Sequence, residues 1–300
     1  MGSFKNIIDT GVLDARYANK VLVFVESDED LQVLQNRWFF EEKEWLEFRS
    51  SDEGHGGGCT QVMAKVTRYR EKNVTVFGIV DRDSLMKCNE WSSFWETDDQ
   101  VFKNARPFGP FVRVLCRWEL ENYLLDPEGL EYILADCSKE APRERRKKIQ
   151  VIRELLEVCH ILMPVMAANV LFHENSTEAL TMGFGLSFRN RGELESEIEQ
   201  QIMRNFQNQG QYQSSLEQYK NHLARVVAFA GSHPEGSEEK WLSLNRIIDG
   251  KRILKRLQHH YNLTEKLKYD LASRIKLGGR IDPEIKALVV SFKSLRDPLN

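Results

Sequence analysis

No two of the five cysteines are spaced as a metal-binding or redox pair. Cys59, Cys88, Cys116, Cys137 and Cys159 are odd in number and contain no C-x-x-C. This argues against a disulfide framework and against a zinc site, so the thiols are expected to be reduced and mostly buried. Long uncharged apolar runs are missing too. Nothing reaches the ~18 residues a membrane span needs, and the opening MGSFKNIIDTG lacks the apolar core of a signal peptide. A cytoplasmic protein without membrane contact is the expectation. Neither His55-Gly56-Gly57-Gly58 nor Asn245 to Arg252 forms G-x-x-x-x-G-K-[ST], so the chain is not expected to be an ATPase itself. Internal repeats and low-complexity tracts are also absent.

What is present is ordinary globular composition, 41% hydrophobic and 29% charged, which sets disorder and fibrous repeats aside. Three hundred residues at ~150 per domain suggest about two domains. The net charge of −3 argues at first against a nucleic-acid binder, but it is unevenly distributed. Residues 1–137 hold 16 Lys and Arg against 25 Asp and Glu, giving −9; residues 138–300 hold 26 against 20, giving +6. Such polarity suggests that the two parts meet different things.

The texture changes at the same place. Val21 to Val25 (VLVFV) and Val74 to Val80 (VTVFGIV) are continuous apolar runs of buried-strand type, with Trp45 to Arg49 and Phe111 to Leu115 as further strands. Helices are predicted from Asp28 to Asn36, from about Thr60 to Glu71, and from Asp126-Pro127-Glu128, where cap, proline and acidic first turn come in order. Beyond residue 137 the pattern is almost wholly helical: Pro142 to Phe172 with a bend at Pro164, then Glu193 to Gln207, Ser214 to Phe229, Lys251 to Tyr261, Thr264 to Ile275 and Pro283 to Leu295. The expected class is α/β, a mostly parallel sheet flanked by helices in residues 1–137, followed by a mainly α-helical region in 138–300.

Carboxylates stand directly after the two best strands. Glu26 follows the first, with Asp30 four residues on; Asp81 and Asp83 follow the second, around Arg82. Ligands of open parallel sheets bind outside the carboxyl ends of the strands, so these acids converge if the strands are neighbours. Clustered acids repel unless a cation lies between them, and hard Mg²⁺ or Mn²⁺ suits oxygen ligands of this kind. Glu119 and Glu121, after the fourth strand, are candidates for a second metal position. Each of these acids has a plainer alternative as a turn, a helix cap or one position of a solvated strand face.

On these residues the sequence resembles the Toprim family: a hydrophobic strand ending in Glu, an Asp four residues later, and a second strand ending in Asp-x-Asp. That signature is shared by topoisomerases, bacterial primases and OLD-type nucleases. The common form has Gly after the Glu, where Ser27 stands here. The stretch WELENYLL (Trp118 to Leu125) and Gly250-Lys251 before an apolar helix are similar to stand-alone Toprim proteins of bacterial anti-phage loci, most specifically the AriB-type effectors of PARIS defence systems. The Toprim motifs cover about the first 125 residues; only the narrower match extends to the helical remainder.

The resemblance implies a Toprim-like catalytic domain and metal-dependent phosphodiester hydrolysis with Mg²⁺ or Mn²⁺, as two ions. By it Glu26, Asp81 and Asp83 carry over as catalytic positions, and Glu26, Asp30, Asp81, Asp83, Glu119 and Glu121 as metal ligands. It further implies RNA, in particular tRNA, as substrate, an ABC-type ATPase as controlling partner, a homodimer as the active form, and a toxic effector role in antiviral defence.

An acidic sheet edge repels a polyanion, so phosphate-gripping cations are expected elsewhere. The second half offers Arg143, Arg145, Arg146, Lys147 and Lys148; Lys251, Arg252, Lys255 and Arg256; and Arg274, Lys276 and Arg280. Lys251, Arg252, Lys147 and Lys148 are the chosen nucleic-acid-binding candidates, with a solvated helix face as the plainer alternative. His259 and His260 lack a third metal ligand nearby, and the six tryptophans read as core or interface residues. Two other functions compete. A haloacid-dehalogenase-like phosphatase also has Asp-x-Asp after a strand, but it wants Thr or Val where Leu85 stands and leaves Glu26 unexplained. A regulatory or assembly module would carry the acids as relics.

Overall fold

The computed structural model describes residues 20–52, 57–136, 146–187, 190–206 and 208–295. The chain folds into two compact units that interleave along the sequence. Unit 1 comprises Met1–Ser84, Lys103–Leu115 and Ala272–Asn300; unit 2 comprises Leu85–Phe102 and Cys116–Leu271. The 137/138 boundary falls inside unit 2, at residues outside the described ones.

Unit 1 is built on four parallel strands, β1 (Val21–Val25), β2 (Leu46–Ser50), β3 (Val76–Val80) and β4 (Val112–Val114), in the order β2-β1-β3-β4. In register, Val23 faces Phe48 on β2 and Phe77 on β3, and Val80 faces Val114. β1 and β3 are buried at every position, which is why they read as unbroken apolar runs rather than alternating ones. Helix α1 (Asp28–Val33) follows β1 and continues as a π-turn, Leu34–Trp38, that carries the Trp38 indole N–H to the Ala272 carbonyl at 3.0 Å. Helix α2 (Cys59–Glu71) packs so closely on β3 that a Cβ at Gly78 would stand 2.6 Å from Val62 Cγ1. Further along β3, Phe77 stacks on Phe292 with ring centroids 4.7 Å apart.

The short helices α3 (Asp83–Lys87), α4 (Trp91–Phe94) and α5 (Asp99–Ala105) precede β4 in sequence; α6 (Leu120–Leu124) and α7 (Pro127–Asp136) follow it. Unit 2 is organised on α8 (Lys148–Glu174), which continues through Pro164. α8 is long and apolar enough to cross a membrane, with mean hydropathy 1.8 in its most apolar window, yet 78% of that window is buried inside the protein. A helix apolar on all sides is a core helix. Against it pack α9 (Arg191–Asn205), α10 (Gln209–Ala228), α11 (Glu238–Leu244) and α12 (Gly250–Tyr261). α13 (Leu267–Leu277) and α14 (Pro283–Ser294) end the described chain, α14 with Asp282 as cap and proline at its first position. Four cysteines are free, Cys59, Cys116 and Cys159 of them buried; Cys137 lies outside the described residues.

Candidate metal centre

The strand order fixes where a ligand can sit. β1 lies between β2 and β3, so the chain leaves it toward one edge of the sheet and later returns past it to the other. The carboxyl ends of β1 and β3 therefore form the topological switch point, the usual binding crevice of open α/β sheets. Glu26 and Asp81 are the first residues beyond those two strands.

The structure brings Glu26, Asp81 and Asp83 together: one carboxylate oxygen from each lies within 4.8 Å of the others. Asp81 is only 8% exposed. The Glu26 carboxylate is tied across the switch point, because its Oε1 accepts the Asp81 main-chain N–H at 3.0 Å and the Ser84 hydroxyl at 2.9 Å. These two donors hold the Glu26 carboxylate group in one orientation. Its main chain is fixed as well: the Ser51 hydroxyl and the Gly58 N–H donate to the Glu26 carbonyl at 3.1 and 3.3 Å. Gly57 passes so near that a Cβ there would stand 2.1 Å from that carbonyl oxygen, so this position accepts only glycine without a shift. Three carboxylate groups in so small a space form an all-oxygen donor set, which suits a hard divalent cation.

Asp30 is employed differently from the expectation. Ser27 caps α1: its Oγ accepts the Asp30 N–H at 3.2 Å, while Asp30 Oδ2 accepts the Ser27 N–H at 3.0 Å and hydroxyl at 2.8 Å. Ser-x-x-Asp at the head of a helix is a reciprocal capping box, which accounts for the aspartate at that spacing. Among the described residues, the metal-competent cluster consists of Glu26, Asp81 and Asp83 without it.

Glu119 and Glu121 belong to unit 2, where they form a charge cluster with two lysines. Glu119 caps α6, and its Oε1 and Oε2 accept the Lys251 main-chain N–H at 2.6 Å and Nζ at 2.9 Å. Glu121 Oε1 accepts Lys268 Nζ at 2.5 Å, and its Oε2 lies 3.7 Å from Lys251 Nζ. Burial foremost, then the charges of Asp249 and Glu121, push the Glu119 carboxyl well above its usual range, with Lys251 opposing. Asn122 locks the arrangement. Its Nδ2 donates to the Asn245 carbonyl and Oδ1 and to the Ile248 carbonyl at 2.8–2.9 Å, and its Oδ1 accepts the Glu119 N–H at 3.2 Å. Gly250 faces this amide so closely that a Cβ would meet Asn122 Oδ1 at 2.4 Å, which explains the glycine before Lys251.

Of the four chosen phosphate-binding cations, Arg252 alone is buried. Arg252 is 2% exposed; it pairs with Asp249 at 3.1 Å and donates to the carbonyls of Leu180, Thr181, Met182 and Phe184. It is an internal pin, so its assignment to nucleic acid is corrected. Lys251 is engaged with Glu119, and Lys148 pairs with Glu238 at 2.8 Å and Glu128 at 3.5 Å. Arg256 reaches the carbonyls of Gly185 and Leu186. Lys147, at the start of α8, is exposed. Arg143 and Arg145 lie outside the described residues.

Ser84, Gly57, Asn122 and Lys268 were not foreseen. Gly57 carries a sequence signal in the glycine run after β2, and Asn122 lies in the WELENYLL stretch; Ser84 and Lys268 carry none. Comparison with protein-family models, with curated proteins and with solved structures gives no match.

Proposed function

We propose that the chain is a metal-dependent nuclease that hydrolyses phosphodiester bonds at Glu26, Asp81 and Asp83. The observation that carries this is the meeting of three carboxylates within 4.8 Å at the switch point of a parallel sheet. Mg²⁺ or Mn²⁺ bound there would supply charge neutralisation at the scissile phosphate and an acidified water. Glu26, Asp81 and Asp83 would present the oxygens that hold it. Glu26, oriented by the Asp81 N–H and the Ser84 hydroxyl, would also serve as the group that accepts a proton from the attacking water. A second ion at Glu119 and Glu121 would have to displace the ammonium groups of Lys251 and Lys268.

The finer reading rests on the Toprim resemblance: an endoribonuclease acting on tRNA in the cytoplasm, the toxic effector of an anti-phage system, controlled by an ABC-type ATPase and active as a homodimer. The phosphatase alternative gains nothing from the site, because Glu26 is an integral member of the cluster. The test is incubation of tRNA with purified protein and Mg²⁺ or Mn²⁺, alone and with the partner ATPase. Cleavage that disappears in Glu26→Ala supports the proposal; cleavage undiminished in that variant overturns it.

A further inference from the structure

The two edges of the sheet in unit 1 are finished differently. β4 is three residues long, and so short a strand offers little for another to pair with. β2, at the other edge, is five residues long and contains neither proline nor glycine. It pairs without a bulge along the whole of β1, from Val21 opposite Leu46 to Val25 opposite Ser50. Among the described residues no strand lies on its outer side. A regular edge of this kind is a template for a further strand.

The hydrogen bonds to β1 show which groups face outward. The Val21 N–H donates to the Trp45 carbonyl and the Ser51 N–H to the Val25 carbonyl, both at 2.8 Å. The main-chain groups of Glu47 and Arg49 therefore turn to β1, and those of Leu46, Phe48 and Ser50 turn away. One outward group is held by a stand-in: the Phe48 N–H donates to Gln35 Oε1 at 2.9 Å, a side-chain amide where a neighbouring strand would supply a carbonyl. A groove of about 420 Å³ borders this edge, lined by Lys20, Gln35, Phe40, Leu46, Glu47 and Phe48 among others, and Phe40 in it is 47% exposed.

The charges of β2 say what fits there. Glu47 and Arg49 pair within the chain at 2.7 Å, and both side chains are partly exposed. Their order makes the strand complementary to itself. In an antiparallel pair of two copies centred on Phe48, Leu46 meets Ser50, and Glu47 of each copy meets Arg49 of the other. Leu46, Phe48 and Ser50 then exchange main-chain hydrogen bonds. Glu47 and Arg49 fall at the non-hydrogen-bonded positions, where Cα atoms come within about 4.5 Å. Neighbouring registers are disfavoured: centred on Glu47 the pair sets glutamate against glutamate, and centred on Arg49 arginine against arginine. Such self-complementarity is what a two-fold interface requires.

We propose that β2 is a dimerisation strand, pairing antiparallel with β2 of a second copy so that two four-stranded sheets join along this edge. Gln35 holds the Phe48 N–H in the separate chain and yields it to the second copy. The two intrachain Glu47–Arg49 pairs merge into a four-charge cluster across the seam. Because the joined strands are antiparallel, each copy keeps a carboxyl edge, with Glu26, Asp81 and Asp83, of its own. The proposal rests on the homodimer reading, for which it supplies the interface, and does not depend on nuclease activity.

The experiment is sedimentation equilibrium of the full chain. The wild type should dimerise. Glu47→Arg and Arg49→Glu each set like charges against each other twice across the seam, and each should weaken dimerisation at least about tenfold. An equimolar mixture of the two variants should form a heterodimer about as tight as the wild type, since each arginine then meets a glutamate. The intrachain pair is broken in both variants and cannot produce that rescue. The doubly exchanged chain, Glu47→Arg with Arg49→Glu, keeps an intrachain pair and covers a loss of folding in either single variant. It should dimerise with itself and not exchange with the wild type. A dimer kept by both single variants, a mixture that stays monomeric, or free exchange between doubly exchanged and wild-type chains overturns the interface while the homodimer reading stands. A wild type that stays monomeric overturns both. If the mixture dimerises and the wild type cleaves no RNA, the interface stands and the nuclease proposal fails.

Discussion

Glu26 Oε1 accepts the main-chain N–H of Asp81 at 3.0 Å, joining the residues that follow β1 and β3. The bond makes the position of one candidate ligand depend on the other. Loss of the Glu26 carboxylate is expected to lower cleavage by about 10²-fold or more, on the scale of a lost general base. Thermal denaturation gives an independent readout. Mg²⁺ or Mn²⁺ at 100 times its Kd should stabilise the wild type by about 2.7 kcal/mol, and Glu26→Gln should show little of that shift. Asp30→Ala separates the roles: it should cost about 1 kcal/mol through its helix cap and retain the metal-induced shift.

Gly57 provides a steric test of the same centre. In Gly57→Ala the new methyl would stand 2.1 Å from the Glu26 carbonyl oxygen, so the main chain must move. A loss of about 1–3 kcal/mol is expected, as for overpacked interiors, together with weaker metal stabilisation. Retention of both in the variant would show that the loop adjusts without disturbing Glu26.

Glu119 predicts a pH dependence. Its folded pKa is raised above the ordinary 4.5, first through burial, so the folded chain keeps this proton where the unfolded chain has released it. Stability from the group is complete below about pH 4.5 and is lost as pH rises through the folded value. The stability of wild type minus Glu119→Gln, measured by urea unfolding across this range, should therefore fall with rising pH. A difference that grows with pH would mean that pairing with Lys251 outweighs burial.

Arg252→Met should test whether this cation is internal or substrate-facing. Removing it leaves Asp249 and a row of carbonyls buried without their donor, and breaking such a pair costs about 3–5 kcal/mol. The melting temperature should drop, while the salt dependence of RNA binding stays unchanged.

Strand and long-helix positions were legible because their apolar runs and periodicities are local. The short helices α3 to α6 and α11 were not, since four to seven residues give periodicity no room to show. Glu26, Asp81 and Asp83 were legible as acids placed just after buried strands. Asp30 has two meaningful spacings, four residues after Glu26 and three after Ser27, and the second is the one that forms the capping box. Lys268 lies 147 residues from Glu121, and no local pattern joins them. Arg252 looked like part of a basic helix face; its burial follows from the loop at Leu180 to Phe184, whose carbonyls no sequence pattern announces.

The stacking of Phe77 on Phe292 also bears on biosynthesis. β1, β3 and all three clustered acids leave the ribosome early, whereas Ala272, which receives the Trp38 indole, and α14, which covers Phe77, come last. The sheet unit therefore cannot complete its core during translation of its own strands. A centre whose supporting sheet is completed only by this later segment matures after its own strands are made, and ribosome-stalled fragments ending before Ala272 should be proteolysed readily.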